Sequence, residues 1–195
     1  MDPLNLLVGI NLFVNMSANY SAAKTGLKIS FTKALEKPDT YLQKLPPNVS
    51  ALVLIVVIAG IFNFGVLDDT LKEEYSILRY VGLALFVIFS WLQVYSFKSL
   101  KENYAQEILI LKKHNLITDG IYKFVRHPQY LSQILSDLGA ALAVMSFIAI
   151  PIVLLLEIPL FILRAKFEER LLQKHFKKDY EEYKKKTGFL IPFVG

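Results

Sequence analysis

The chain has 195 residues, of which 54% are apolar, with a mean hydropathy of +0.41 and a formal net charge of +5. It contains no Cys, which excludes a disulfide scaffold, a thiolate zinc site and a cysteine nucleophile. The apolar excess lies in blocks with the positive charge between them, which points to an integral membrane protein rather than a nucleic-acid-binding one.

In chain order, the first block is "PLNLLVGINLFVNMSANY". Four Asn interrupt it, so residues 3–20 read either as a spanning helix or as one lying at the interface. With no basic segment ahead of it, it does not read as a cleaved signal peptide. Residues 49–67, "VSALVLIVVIAGIFNFGVL", carry no charge over nineteen positions, about the length a span requires. Residues 76–97 form a further span, with Trp91 and Tyr95 near one end where aromatic belts sit.

Residues 129–163 are apolar apart from Asp137 and Glu157. As one helix they would reach about 52 Å, well beyond a hydrocarbon core of about 30 Å. The spacing therefore predicts two short spans in a hairpin turning near residues 145–148. The expected fold is an all-α integral membrane protein of about five transmembrane helices. Residues 1–97 would supply the N-terminal spans and residues 98–195 the connector, the helical hairpin and the C-terminal amphipathic helix, together one folding unit.

The charges orient this layout. Twenty of the 22 basic residues fall within 21–48, 98–128 and the tail from 164, segments that five spans place on one side. Lys24, Lys28, Lys33 and Lys101 are among them. The remaining connection, "DDTLKEEYS", is acidic. The positive-inside rule then puts the basic segments in the cytosol and the N-terminus outside. The basic excess reflects topology, with some attraction to anionic membrane lipids.

Two cytosolic stretches carry chemistry. The connector 98–128 is too long and too patterned to be a simple link. The tail predicts an amphipathic helix with Phe167, Leu171, Phe176, Tyr180 and Tyr183 at helical spacing, stopped at Thr187-Gly188. That stripe suits either the connector or lipid headgroups. His175 reads as a surface residue.

Within "GIYKFVRHPQYL", Tyr122, Arg126, His127 and Tyr130 gather around Pro128 at the start of an apolar run. Arg, His and Tyr at a membrane boundary can serve simply as anchors. Against that, Pro128 leaves backbone N–H groups free for an anion, and Gly120 permits a tight approach of the chain. Arg164 and Glu168, four apart on one helix face, emerge from the last span on the same side. Taken alone, they would be an ordinary intrahelical ion pair. Glu157 has two readings that stay open, an intramembrane functional carboxylate or a partner for backbone groups freed near Pro151 and Pro159.

In combination, "HNLITDGIYKFVRHPQYL" (114–131) and "RAKFEERLLQKHFKKDYEEYKKKTGFLIP" (164–192) resemble the isoprenylcysteine carboxyl methyltransferases. These are membrane enzymes using S-adenosylmethionine and related to phospholipid methyltransferases. The resemblance covers roughly residues 100–195 and rests on the order His-x-Leu, Gly-x-Tyr, Arg-His-Pro-x-Tyr, Arg-x-x-x-Glu. It implies a cytosolic cofactor pocket built from the connector and the C-terminal helix. It also implies a cofactor site of His114, Asn115, Leu116, Ile117, Tyr122, His127, Pro128, Gln129, Tyr130 and Glu168, with Arg164 as the catalytic residue holding the substrate carboxylate.

Glu107 stands where the family carries Gln, and it joins the cofactor-binding set. The family's Gly-Leu-Pro appears here as "GFLIP", two residues longer. The implied substrate is a lipid-like prenylated carboxylate entering from the bilayer, with S-adenosylhomocysteine as product. Neither metal nor nucleic acid is implied.

The alternatives are a phospholipid N-methyltransferase, a sterol-type NAD(P)H reductase and a non-catalytic membrane scaffold. The N-methyltransferase would need a base to deprotonate its amine, and Arg164 would be ill-placed for it. No glycine-rich dinucleotide fingerprint occurs.

Overall fold

The fold was analysed in a computed structural model, which describes residues 2–32, 34–100 and 103–194, with backbone alone for 21–32. Lys33 and Lys101 lie outside the described residues, as do the side chains of Lys24 and Lys28. The chain folds as α1 (Pro3–Thr32), β1 (Ala34–Glu36), α2 (Leu45–Ile61), α3 (Asp69–Glu74) and α4 (Ser76–Leu100). There follow β2 (Ile110–Leu111), α5 (Pro128–Val144), α6 (Ala149–Ile152), α7 (Ile158–Phe176) and α8 (Lys178–Lys186). Single 3-10 turns cover Tyr41–Gln43 and Gly120–Lys123.

Prolines open several helices at positions where a missing N–H costs nothing. They include Pro46 and Pro47 in α2 and Pro128 in α5. Asp2 Oδ1 accepts from the Leu4 N–H at 2.9 Å, and Asp68 Oδ1 caps α3 through the Leu71 N–H at 3.0 Å.

The expectation of helices throughout needs one correction. β1 and β2 pair antiparallel, Ala34 with Leu111 and Glu36 with Ile110, so the connector is tied to the segment after α1 by a small ribbon. The expected span 49–67 is displaced: its helix begins earlier and stops at Ile61. Asn63 and Gly65 then take positive φ and turn the chain, because glycine and asparagine tolerate that region.

Among the described residues, two segments are long and apolar enough to cross a membrane, Tyr41–Ile61 and Ser76–Leu100. α5 and α7 make the expected hairpin, reversing at Met145, whose φ of 56° ends α5 in a left-handed cap. Large apolar side chains face outward on several helices, including Phe13, Ile55, Ile77, Ile88 and Leu155. So wide an apolar exterior suits lipid rather than water.

α4 and α5 pack backbone to backbone. A Cβ on Gly82 would lie 2.7 Å from the Ala143 nitrogen, and one on Gly139 would lie 2.5 Å from the Phe86 nitrogen. Small residues at such a crossing let two helices approach where lipid supplies no hydrophobic drive between them. The main core (Val8, Val53, Val57, Phe86, Val144 and Val153) lies against this crossing.

A second core joins Leu42, Ile108, Ile110 and Leu171. Gln43 fixes the connector there, its Nε2 donating to the Ile108 carbonyl at 2.7 Å and its Oε1 accepting the Ile108 N–H at 2.8 Å.

The expected single tail helix is broken. Lys177 takes a φ of 51°, ending α7 and redirecting α8. α8 stops at Lys186, with Thr187 extended as its cap. The stripe packs on the protein rather than facing outward: Leu171, Tyr180 and Tyr183 are buried, and the Tyr183 hydroxyl donates to the Tyr122 carbonyl at 2.7 Å.

Candidate active site

A cavity of about 530 Å3 lies where the connector, the start of α5 and the middle of α7 meet, a size usual for small-molecule sites. The structure brings to its wall Glu107, His114, Asn115, Leu116, Ile117, Tyr122, His127, Pro128, Gln129, Tyr130, Arg164 and Glu168, each of the residues singled out in the sequence. The wall also draws on parts of the chain that the connector and tail do not supply. Gln43 comes from the first 3-10 turn, Ser50 from α2, and Gln93 and Phe97 from α4.

Arg164 is 3% exposed and heavily engaged. Its Nε donates to the Tyr130 hydroxyl at 3.0 Å, its Nη1 to the carbonyls of Leu42 (2.5 Å) and Gln43 (3.1 Å), and its Nη2 to that of Gln106 at 2.8 Å. Four of its five N–H bonds therefore hold protein acceptors, and one Nη2 N–H is left. The Tyr130 hydroxyl passes the chain on, donating to Glu168 Oε2 at 2.6 Å. The guanidinium also sits 5.7 Å from the centre of the Tyr130 ring.

His127 stacks on Tyr130 with the rings 5° from parallel and meets the edge of Phe189. Its Nδ1 lies 3.8 Å from Glu168 Oε2.

Behind this face stands a pair to which the sequence reading gives no site role. Arg126 Nε donates to Glu169 Oε1 at 2.5 Å, and Arg126 Nη1 donates to the carbonyls of Lys184 (3.2 Å) and Thr187. Lys184 Nζ reaches Glu169 Oε2 at 3.0 Å. Burial alone would raise the Glu169 carboxyl, but the His127, Arg126 and Lys184 side chains beside it outweigh that and hold it down to about 2. The pair ties the start of α5 to α7 and α8. "GFLIP" finishes the tie: the Arg126 N–H donates to the Gly188 carbonyl at 2.9 Å, and the Gly188 N–H to that of Phe124 at 3.0 Å. Arg126 lies inside the RHP string and Glu169 beside Glu168, so adjacency was the available signal. Gln43 offered none.

Burial raises the Tyr122 phenol well above its usual range, with Glu168 adding to it, and pushes the Tyr104 phenol up to about 12 against a weaker pull from Arg164. Both stay neutral. Burial lowers the His114 imidazole, with Glu168 pulling it back and His175 adding to the lowering. Glu107 Oε2 and Gln129 Nε2 are among the buried polar atoms at the cavity that have no hydrogen-bond partner. Glu107 Oε1 meanwhile pairs with Lys37 Nζ at 2.8 Å.

Glu157 is fully buried at the end of a π-helical turn, Val153–Glu157, lying between the two prolines. It accepts from the Ser50 hydroxyl at 2.5 Å. Pro159 has no N–H to continue the α-helical ladder, which accounts for the wider turn.

Residues 82–174 match the isoprenylcysteine carboxyl methyltransferase (ICMT) family. All twelve of the singled-out cavity residues fall inside that match.

Among ICMT-like relatives, a probable protein-S-isoprenylcysteine O-methyltransferase of Oryza sativa subsp. indica is 29% identical over 127 residues, covering 63% of this chain and 65% of that protein. The protein-S-isoprenylcysteine O-methyltransferase of Schizosaccharomyces pombe is 36% identical over 83 residues, covering 43% of this chain and 35% of its own. The match thus spans about two thirds of the rice protein and about a third of the yeast one.

The solved structure of the eukaryotic intramembrane Ras methyltransferase ICMT superimposes with a TM-score of 0.68 at 20% identity, over 100% of this chain and 69% of that one. At that identity the likeness is one of fold.

Proposed function

We propose that the protein transfers the methyl of S-adenosylmethionine to the carboxylate of a lipophilic isoprenylcysteine, forming a methyl ester. The observation that carries this reading is the convergence of Arg164, Glu168 and the His114–Ile117 segment on one cavity within the ICMT-matching region.

The residues present fit the cofactor. Leu116 and Ile117 offer an apolar wall for an adenine ring. The unpartnered Glu107 Oε2 and Glu168 suit an ammonium, and Gln129 Nε2 with the N–H groups at the start of α5 suits a carboxylate. Bound there, the cofactor supplies an electrophilic methyl on a positively charged sulfur.

The chain's own task is alignment. An α-carboxyl with a pKa of about 3.3–3.7 is already ionised, so no residue need act as a base. Arg164 offers its remaining Nη2 N–H to that carboxylate, and a two-pronged grip requires it to exchange one carbonyl partner. Its bonds to Leu42, Gln43 and Gln106 fix its position, and Tyr130 orients both Arg164 and Glu168. Opposite charges neutralise as the methyl moves, which a site with little water favours.

The helices are read as a multi-pass membrane domain with the N-terminus outside and this cavity toward the cytosol, on the strength of the basic-residue distribution. Residues 98–195 carry most of the chemistry, and the N-terminal helices complete the wall. The test is incubation of detergent-solubilised protein with methyl-labelled S-adenosylmethionine and N-acetyl-S-farnesylcysteine. Label in a base-labile methyl ester supports the reading. Label absent from that ester under conditions of proven cofactor binding contradicts it.

A further inference from the structure

Residues 188–194 close a short loop against the start of α5. Besides the two bonds between Arg126, Gly188 and Phe124, the His127 N–H donates to the Phe189 carbonyl at 3.3 Å. The loop then turns on itself: the Phe189 N–H donates to the Val194 carbonyl at 2.7 Å and the Val194 N–H to that of Ile191 at 3.1 Å.

What this closed turn displays is apolar. Phe193 is 74% exposed, Ile191 61% and Val194 58%. Phe124 is 47% exposed and meets the Phe193 ring edge-on, with 6.3 Å between centres. Phe193 is held at a φ of 62°, where turns ordinarily carry glycine or asparagine. Large apolar side chains gathered on a turn mark a surface that an apolar partner covers.

The level of the loop follows from α5. Its 17 residues reach about 25 Å, close to a hydrocarbon thickness of about 30 Å. With the reversal at Met145 at one face of the membrane, Pro128 lies near the other. Residues 124–127 and the loop bonded to them then stand at the cytosolic boundary. Exposed lysines adjoin it in the chain, Lys123 beside Phe124, and Lys185 and Lys186 at the end of α8. Apolar tips flanked by lysine suit the boundary between acyl chains and anionic headgroups.

We propose that the loop 188–194, with Phe124, dips into the cytosolic leaflet of the membrane that the helices cross, its flanking lysines meeting anionic headgroups. The proposal rests on the reading of the helices as a membrane domain, and not on methyl transfer. It bears on the active site because the loop also backs that cavity: the Phe189 ring stands edge-on to His127, with 5.3 Å between centres. The leaflet thereby steadies the side of the cavity on which His127 lies.

Trp91 is the one tryptophan of the chain and is exposed on α4, so it reports on the helices. The experiment places the protein in nanodiscs of phosphatidylcholine and phosphatidylserine with acyl chains brominated close to the headgroup. Fluorescence quenching is read for the unaltered protein and for Phe193→Trp on a Trp91→Phe background. Ile191→Trp on that background repeats the reading at a position without positive φ, and Tm shows which variants are folded. The expected result is that Trp91 and the loop tryptophan each lose at least half their emission to brominated lipid, while aqueous iodide quenches the loop tryptophan weakly. Omitting phosphatidylserine is expected to weaken quenching at the loop and leave that of Trp91 unchanged.

A loop tryptophan open to iodide and untouched by brominated lipid, while Trp91 is quenched, overturns the proposal. So does one shielded from both, which assigns the patch to a protein partner such as a second copy of the chain. Equal quenching at the loop with and without phosphatidylserine overturns the role given to the lysines. If lipid fails to quench Trp91 as well, the membrane reading itself fails and the proposal falls with it.

Discussion

The Tyr130 hydroxyl donates to Glu168 Oε2 at 2.6 Å while accepting from Arg164 Nε at 3.0 Å. One oxygen thus couples the residue proposed to meet the substrate with the residue proposed to meet the cofactor. Tyr130→Phe keeps the ring stacked on His127 but leaves Arg164 Nε and a Glu168 oxygen without that partner. Such a loss costs about 1–3 kcal/mol, so kcat/KM for methyl transfer is expected to fall about 10- to 100-fold. Steady-state kinetics checks this, and a change of less than twofold would remove Tyr130 from the relay.

Arg164→Lys preserves charge but cannot hold the carbonyls of Leu42, Gln43 and Gln106 at once. Turnover is expected to fall at least a hundredfold, and Tm to drop because the turn at 41–43 and the connector lose a shared anchor. Thermal unfolding alongside activity separates the two effects. Unchanged turnover would take Arg164 out of the reaction.

Glu169 gives the fold a pH dependence. Its carboxyl is held down to about 2, against 4.5 for a free Glu. A depressed acid lends stability above its unfolded value, and that stability is lost as pH falls toward the folded one. Tm is therefore expected to decline as pH drops from about 4.5 toward 2, and Glu169→Gln is expected to start lower and decline less. Thermal scans across that range check it.

His114 acts in a different window. Burial keeps its imidazole below 6.5, so as pH falls through 6.5 the unfolded chain takes up a proton before the folded one does. Stability from this group is present above 6.5 and lost below it. His114→Phe is expected to flatten Tm between about pH 7 and 5.5. An identical slope in the variant would contradict this.

At the α4–α5 crossing, a Cβ on Gly139 would lie 2.5 Å from the Phe86 nitrogen and 2.7 Å from the Gly82 carbonyl oxygen. Backbone cannot yield as a flexible side chain can. Gly139→Ala is expected to cost about 1–3 kcal/mol by overpacking, and an exposed control, Ile77→Ala, much less. Unfolding in detergent compares them.

Much of the site was legible because its residues lie close in sequence around Pro128 and at four-residue spacing in α7. The hairpin turn near Met145 was legible from length alone, since 35 apolar residues exceed one membrane crossing. Other features depended on partners far along the chain. The β1–β2 ribbon needs Ala34 to meet Leu111, and neither short segment carries a strand pattern. The break at Lys177 interrupts an unbroken helical periodicity with a non-glycine residue at positive φ. Gln43 looks like any loop glutamine until the Ile108 backbone lies against it. The near-saturation of Arg164 comes from three carbonyls whose positions only the folded chain defines.

The most direct measurement is calorimetric binding of S-adenosylhomocysteine to the solubilised protein, with Glu168→Ala and His127→Ala beside it. Micromolar binding that both variants abolish, with their Tm values retained, is what the cavity predicts. No binding of S-adenosylhomocysteine, with NADPH bound in its place, would contradict the account and assign the cavity to a reductase.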